Sequence, residues 1–143
     1  MKDETLPRGI RLSNPGNIRI SAAPWLGKIV PSSDDQFEEF SNVKYGVRAA
    51  ARIFLEYSLS HGLSTVAQYI NRWAPPADAN PTNAYANFVA ADCGVDPNNQ
   101  YNVQDSGNLA KLLASVFRFE NGGDYVSGAD IEAGVEMAIG LTA

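Results

Sequence analysis

Glu120 is the residue of this sequence whose position best suits a catalytic acid. It follows an apolar stripe with helical spacing through Leu109, Leu113 and Val116, which predicts a core-facing position at the C-terminal end of a helix. Burial and the negative end of the helix dipole both favour the neutral form of a carboxyl group. A carboxylic acid that keeps its proton near neutral pH is what general-acid cleavage of a glycosidic bond requires. The alternative is a solvated side chain at a frayed helix end.

An acidic segment near the N-terminus supplies candidates for a second carboxylate. Asp34, Asp35, Glu38 and Glu39 surround Phe37. In an extended segment, alternation places Glu39 on the face of Phe37 and Glu38 on the opposite face. An inverting glycosidase has its base about 6.5–9.5 Å from the acid, whereas a retaining one has its nucleophile at about 5–5.5 Å. The sequence does not choose among these carboxylates, and a solvated acidic loop is the alternative for each.

Amide, guanidinium and aromatic side chains are the candidates for binding a sugar. Asn14, Asn17 and Arg19 lie in or beside a segment whose composition indicates a turn, and amides can both donate and accept hydrogen bonds. Asn121 directly follows the candidate acid, and Tyr125 lies five residues beyond that acid in a glycine-rich turn. The alternative for the two N-terminal asparagines is a turn stabilised by bonds to their own backbone.

The other large aromatic residues have less specific interpretations. Trp25 and Tyr101 are further candidates for stacking on a sugar face. Trp73 and Tyr85 lie on helical apolar stripes, so we expect them to pack in the core.

Composition argues against several other kinds of function. The chain has 11 Lys and Arg against 16 Asp and Glu, and this net charge of −5 argues against nucleic acid as a partner. The single cysteine, Cys93, excludes an internal disulfide, and the single histidine, His61, argues against the usual zinc sites. We therefore expect no metal and no cofactor. No signal peptide or membrane-spanning run is visible, so we expect no membrane insertion.

The elements that must position these residues fall into two parts of a domain that we expect to span residues 1–143. Residues 1–44 contain four prolines, three glycines and short apolar clusters, a pattern typical of an extended or β-hairpin lobe. In residues 45–143 the apolar spacing becomes helical and predicts about five helices, so the expected fold class is mainly α, of the α+β type. The predicted helices begin near Tyr45, Ser64, Thr82, Leu109 and Ser127.

Residues 112–124, Leu-Leu-Ala-Ser-Val-Phe-Arg-Phe-Glu-Asn-Gly-Gly-Asp, resemble the catalytic helix of lysozyme-like lytic transglycosylases. That helix ends in Glu-Ser-Gly-Gly or a close variant, and this chain has Asn121 where the family usually has serine. The glutamate of the family is the general acid/base, and the resemblance implies this role for Glu120. It also implies that a second carboxylate is dispensable, because the 6-hydroxyl of the sugar itself attacks after bond cleavage.

Motifs spread over nearly the whole chain resemble a family of small phage and prophage proteins usually labelled virion structural proteins. They are Arg-Gly-Ile-Arg (8–11), Asn-Pro-Gly-Asn-Ile (14–18), Phe-Glu-Glu-Phe (37–40), Tyr-Gly-Val-Arg-Ala (45–49), Arg-Trp-Ala-Pro-Pro (72–76) and Glu-Asn-Gly (120–122). In lysozyme-like enzymes the glutamate helix precedes an Asn-rich segment, whereas here it follows one. This order predicts a circularly permuted lysozyme-like domain, which is feasible when the termini lie close together.

The resemblances imply a phage virion-associated protein that cleaves peptidoglycan between N-acetylmuramic acid and N-acetylglucosamine. Its expected partners are peptidoglycan glycan strands and other virion proteins. Its expected location is the virion, or the host cytoplasm before particle assembly or release. The alternative is a non-catalytic virion structural protein that uses the same fold for assembly or cell-wall binding. A weaker alternative is an antibacterial effector that travels with an immunity protein.

Overall fold

The computed structural model describes residues 5–76 and 82–140, and these residues are mainly helical, as the sequence predicts. The five longer helices correspond to the five predicted ones, and α1 is a short additional helix in the proline-rich N-terminal part. The helices are α1 (Arg8–Arg11), α2 (Val43–Leu59), α3 (Val66–Trp73), α4 (Thr82–Cys93), α5 (Ser106–Asn121) and α6 (Gly128–Ala138). Within the described ranges, none of the helices combines the length and apolarity needed to span a membrane.

Side-chain caps explain where three of the helices begin. The hydroxyl of Thr65 accepts a hydrogen bond from the N–H of Gln68 at 3.1 Å, and the Gln68 side chain accepts one from the Thr65 N–H at 3.2 Å. The helix start predicted near Ser64 is therefore one residue early, because the capping residue of this reciprocal box is the residue three before Gln68, namely Thr65. Ser127 caps α6 as predicted, and Asp105 caps α5.

The apolar faces of α2 to α6 meet in a common core. In it, α2 packs on α6, and α4 contacts both α3 and α5. Cys93 is buried there. Burial of one large apolar side chain stabilises a fold by about 1.5–3 kcal/mol, so the helices form a firm support for the site. The largest buried side chains of the core are Tyr69, Phe54, Ile70, Leu109, Leu112 and Leu113.

The segment between α1 and α2 forms a lobe with little regular secondary structure. Two isolated antiparallel bridges, Arg19 with Phe37 and Lys28 with Phe40, connect its two sides. The predicted extended lobe is present, but a regular β-hairpin is not seen among its described residues. The physical reason is the proline content of the lobe, since a proline has no N–H to donate to a ladder of hydrogen bonds.

The interior of this lobe buries charged side chains beside two phenylalanines, Phe37 and Phe40. Glu38 is only 1% exposed, forms an ion pair with Lys28 at 3.0 Å and accepts a hydrogen bond from the Ser21 N–H. Glu39 is also buried and accepts a hydrogen bond from the Ser33 N–H at 2.9 Å. The alternative of a solvated acidic loop is thus wrong for these two residues, because both carboxylates are buried and accept hydrogen bonds from backbone N–H groups of the lobe.

Candidate active site

The loop that follows α1 is held in place by one buried asparagine. Asn14 Nδ2 donates to the carbonyl oxygens of Ile18 and Glu38, both at 2.9 Å, and Asn14 Oδ1 accepts from the Ile18 N–H at 3.0 Å. Because Asn14 is fully buried, these bonds satisfy groups that water does not reach. Asn17 then adopts a left-handed φ of 51°, a conformation that asparagine tolerates better than most residues.

Two glycines allow this loop to pack closely against the helices. A Cβ atom on Gly16 would lie 3.1 Å from the ring of Trp73, at the end of α3. A Cβ atom on Gly46, in α2, would collide with the carbonyl oxygen of Ser13. A larger residue at position 46 would push the loop away from α2, so Gly46 is needed for this close approach, whereas one at position 16 would require the Trp73 ring to shift by a few tenths of an ångström.

Glu120 lies half-buried in the last turn of α5, and its two carboxylate oxygens have different partners. Oε1 accepts a hydrogen bond from Asn17 Nδ2 at 2.9 Å, and Oε2 accepts one from the hydroxyl of Tyr85 at 2.7 Å. Tyr85 comes from α4, and its oxygen accepts a hydrogen bond from Trp73 Nε1 at 3.1 Å. The carboxylate therefore joins the N-terminal loop to α4 and, through Tyr85, to α3.

Tyr85 is held as a neutral hydrogen-bond donor. Burial raises the pKa of its hydroxyl far above the ordinary value of 10.0, and the negative charge of Glu120 raises this pKa further. Its ring stacks on Phe119 with centroids 3.9 Å apart, which fixes the direction of the hydroxyl. At physiological pH Tyr85 therefore keeps its proton and directs it toward the carboxylate.

Glu120 borders a cavity of about 390 Å³ between the lobe and the helices. This volume lies within the range of small-molecule sites, and aromatic walls with a few polar groups suit the face of a sugar. Among the described residues that line the cavity, Glu120 is the one carboxylate. The lining consists of Gly16, Asn17, Ile18, Arg19, Phe37, Ile53, Tyr57, Trp73, Ala74 and Glu120.

This geometry places one carboxyl group at the edge of a cavity that a ligand can occupy. Such a group can exchange a proton with an oxygen atom of the ligand, while Asn17 and Tyr85 fix its orientation. Across residues 5–76 and 82–140, no group of three or more His, Cys, Asp and Glu side chains is arranged to hold a metal ion.

Comparison with known proteins connects the chain to a phage. No family model matches the sequence. The chain is 34% identical over 132 residues to "Protein P5" of Pseudoalteromonas phage PM2, a match that covers 90% of this chain and 80% of that protein. The chain belongs to the family of this phage protein. The predicted relationship to phage proteins is thus confirmed, whereas the virion structural label stays a prediction.

Two of the predicted sugar-binding residues of this P5-family protein line the cavity, and two others belong to its framework. Asn17 and Arg19 line the cavity. Asn14 binds backbone groups, as described above, which is the alternative that the sequence left open for it. Asn121 is buried, and its Nδ2 donates to the carbonyl oxygens of Pro15 and Phe117 at 2.9 and 2.8 Å. Asn121 therefore holds the end of α5 against the N-terminal loop and is not placed to contact a ligand.

Tyr125, the fifth predicted binding residue, lies outside the cavity. Its side chain is 47% exposed and rests on Gly123, where an added Cβ would be 3.2 Å from the ring. It borders a small separate pocket with Arg118 and Asp124. In the glycine-rich turn the tyrosine ring therefore lies against the turn itself. The spacing of Tyr125 from Glu120 in the sequence did not indicate this position.

The predicted second carboxylate is not found at the cavity. Glu38 and Glu39 are engaged inside the lobe, and Asp35 is exposed; none of the three lines the cavity. Alternation along a strand with one solvent-facing side would expose one of the two glutamates. The lobe instead buries both glutamates, because Lys28 and backbone N–H groups there compensate their charge.

The sequence did not reveal that Tyr85 binds Glu120 or that Trp73 donates a hydrogen bond to Tyr85. Their helical spacing predicts core positions for both, and the Trp73 ring does stack on Phe54 with ring centroids 4.7 Å apart. The buried hydroxyl of a tyrosine and the N–H of a tryptophan nevertheless require partners. That requirement was the available signal, but the sequence did not identify Glu120 as the partner.

Proposed function

We propose that this phage protein cleaves the glycan strand of peptidoglycan, between N-acetylmuramic acid and N-acetylglucosamine, with Glu120 as the general acid. One observation carries the proposal: Asn17 and Tyr85 hold the Glu120 carboxylate at the lining of a cavity with aromatic walls. In this role Glu120 gives its proton to the glycosidic oxygen as the bond to the sugar C1 breaks.

The single carboxylate of the described lining favours a lytic transglycosylase over a hydrolase. After the bond to C1 breaks, the 6-hydroxyl of the same N-acetylmuramic acid attacks C1 and closes a 1,6-anhydro ring. The proton of that hydroxyl passes to Glu120, which restores the acid for the next cycle. This sequence consumes no water and needs no second side-chain base. A hydrolase of the usual kind needs a second carboxylate within about 5–9.5 Å of the first.

A circularly permuted lysozyme-like domain is part of the same proposal. Permutation requires the Asn-rich segment and the glutamate helix to meet in space although their order in the chain is exchanged. The bond between Asn17 and Glu120 joins residues 103 positions apart, and this contact supports the hypothesis. The side chain of Asn121 supports it further, because it ties the same helix end to Pro15 in the same loop.

A second candidate function, a virion component without catalysis, is favoured by a different observation. Both oxygens of Glu120 are engaged in bonds that hold parts of the fold together, as a purely structural carboxylate would be. The relationship to a phage protein also supports this candidate more directly than the enzyme. A shared phage origin is consistent with a place in the virion, but it says nothing about cleavage of a glycan. In either function we place the protein in the virion with other virion proteins, or in the host cytoplasm before assembly or release.

Product analysis on purified sacculi separates these candidates. We expect the wild-type protein to release 1,6-anhydro-muropeptides and Glu120→Gln to release about 100-fold less, since glutamine keeps the shape but has no proton to give. Glu132→Gln, at an exposed glutamate of α6, is the matched control and should behave as wild type. Mass spectrometry identifies the products, and circular dichroism verifies folding.

Each other outcome of this experiment has a defined meaning. Reducing-end products would replace the transglycosylase by a hydrolase. No release by the folded wild-type protein would refute cleavage and favour the non-catalytic virion component. Equal release by Glu120→Gln would remove Glu120 as the acid.

A further inference from the structure

The short helix α1 presents a bare backbone carbon to three oxygen atoms beside the candidate acid. This carbon is the Cα of Gly9, which is buried where α1 packs against α5. A Cβ atom added to Gly9 would lie 2.6 Å from Asn17 Oδ1, and 2.8 Å from both Asn121 Oδ1 and the carbonyl oxygen of Asn14. Even a C–H···O contact keeps its carbon and oxygen about 3.3–3.6 Å apart, so position 9 has no room for a side chain.

Each of the two amide oxygens faces α1 because the nitrogen of the same amide is bonded elsewhere. Asn17 Nδ2 donates to Glu120 Oε1. Asn121 Nδ2 donates to the carbonyl oxygens of Pro15 and Phe117. A carboxylate and a backbone carbonyl can only accept hydrogen bonds, so neither amide can be turned round without the loss of these bonds. The oxygen of each amide is therefore directed to the opposite side, where α1 lies.

The contact with α1 also accounts for an unusual buried acceptor. Asn121 Oδ1 is buried and has no hydrogen-bond donor among the residues that the structure describes, which is rare in native proteins. An added Cβ takes the place of one Gly9 hydrogen, so a Cα–H of Gly9 points at this oxygen and makes a weak contact with it. The Asn14 carbonyl, the third oxygen of the group, accepts the Asn17 N–H at 3.0 Å, and the Asn14 N–H donates to the Gly9 carbonyl at 2.7 Å. Gly9 therefore contacts both the side chain of Asn17 and the residue that holds its backbone.

We propose that Gly9 is a positioning residue for the Glu120 carboxylate. The Asn17 amide rests on the Cα–H of Gly9, with its oxygen on α1 and its nitrogen on Glu120. A side chain at position 9 displaces either Asn17 Oδ1 or the Asn14 carbonyl that holds the Asn17 backbone, and in both cases the bond to Glu120 is lost. This inference rests on the proposed function, because it assigns Gly9 a part in presenting the acid to the cavity.

The same substitution at three glycines tests this role against a general loss of stability. Gly9→Ala should lower kcat on sacculi about ten-fold at unchanged KM, because it disturbs the orientation of Glu120 and not the binding of substrate. Gly134→Ala is the matched control, since its Cβ would collide with the Val47 side chain in the contact between α6 and α2. It should lower the melting temperature but keep the wild-type kcat. Gly128→Ala would meet no atom within 4 Å and should change neither quantity.

A double variant shows whether Gly9 acts through Asn17. Asn17→Gly removes the amide but keeps the left-handed φ without strain, and by itself it should lower kcat about ten-fold. Adding Gly9→Ala should lower kcat no further, because the bond that the alanine disrupts is already absent. If the two reductions multiply to about 100-fold, as independent effects do, Gly9 acts on cleavage by another route and the proposal is wrong.

NMR spectroscopy provides a readout that does not depend on cleavage. In the wild-type protein we expect the Asn17 Nδ2 protons to give stronger nuclear Overhauser contacts to the Glu120 side chain than to the Gly9 Hα protons. The reverse order would mean that the amide is turned the other way, and this would overturn the proposal even if Gly9→Ala does not fold. In folded Gly9→Ala the contact between Asn17 and Glu120 should be lost.

The outcomes separate this inference from the proposed function. Cleavage by wild type, together with an unchanged kcat and an unchanged Asn17 contact in Gly9→Ala, overturns the positioning role but not the enzyme. Loss of the Asn17 contact in Gly9→Ala, without any cleavage by wild type, supports the positioning of Glu120 and refutes the enzyme.

Discussion

The lobe and the helical core of this protein are held together by different kinds of contact. In the helices the fully buried side chains are mostly apolar, such as Phe54 and Leu113. The lobe also buries Phe37 and Phe40, but its buried set includes the polar residues Asn14, Glu38 and Glu39, each bonded to backbone or to a charge. Apolar packing has no preferred direction, whereas a hydrogen bond needs a specific donor and acceptor. The shape of the lobe therefore depends on few atoms, and Glu120 lies where the two kinds of structure meet.

The largest difference should appear when one buried group is altered in each region. Glu38→Ala leaves Lys28 without its buried partner, and we expect it to lower the free energy of unfolding by about 3 kcal/mol. Leu113→Met, a volume-conserving exchange in the helical core, should lower it by less than about 1.5 kcal/mol. Urea unfolding followed by circular dichroism measures both. Equal losses would show that the lobe does not depend on its ion pair.

An intermediate effect is expected where the helices hold the carboxylate. Tyr85→Phe removes the hydroxyl that donates to Glu120, and Tyr69→Phe removes a buried hydroxyl that donates to the Tyr101 carbonyl oxygen at 2.8 Å. Tyr69→Phe should cost about 1 kcal/mol of stability. Tyr85→Phe should cost more, roughly 2 kcal/mol, because the Tyr85 hydroxyl also accepts the hydrogen bond of Trp73 Nε1. Only Tyr85→Phe should also lower kcat on sacculi, by about ten-fold at unchanged KM, because Tyr85 positions Glu120.

Two results would contradict the expected difference in kcat between Tyr85→Phe and Tyr69→Phe. An equal fall in kcat for both variants would mean that lost stability, and not the orientation of Glu120, limits cleavage. An unchanged kcat for Tyr85→Phe at normal stability would mean that Asn17 alone is sufficient to orient the carboxylate.

The smallest effect is expected at the surface of the lobe and depends on pH. Hydrogen bonds from the backbone N–H groups of Gln36 and Phe37 hold the pKa of Asp34 below the usual 3.8. Because this pKa is lower in the folded state, Asp34 stabilises the fold above about pH 4 and loses that contribution as the pH falls through its lowered pKa. Asp34→Asn should therefore be slightly less stable than wild type at pH 6, and the gap should close near pH 2.

Carboxyl chemical shifts measured by NMR during an acid titration provide the direct check of this pKa. A midpoint for Asp34 at or above 3.8 would contradict the role of its two backbone bonds. If the difference in stability between wild type and Asp34→Asn does not narrow at low pH, the difference does not come from the charge of Asp34. It would then come from the changed packing or hydrogen bonding of the side chain.

The helices could be predicted from the sequence because their signal is local. An apolar stripe with helical spacing, a capping residue and a glycine stop are all local signals. They predict the end of α5 and the start of α6, although α5 begins at Ser106, three residues before the predicted Leu109. The lobe could not be predicted in the same detail. Its two bridges join residues 18 and 12 positions apart, and its prolines conceal any strand period.

In the candidate site, too, the local features could be predicted from the sequence and the contacts between distant residues could not. The sequence by itself placed Glu120 at the end of a mainly apolar helix and Asn17 in a turn, because helical period and turn composition are local properties. Only the tertiary structure brought these two residues within 2.9 Å, added Tyr85, and withdrew Asn14, Asn121 and Tyr125 from the cavity. The physical reason is that each of these outcomes depends on packing between elements that are distant along the chain. A local pattern contains the type and direction of one side chain, but not the donor or acceptor that another element brings to it.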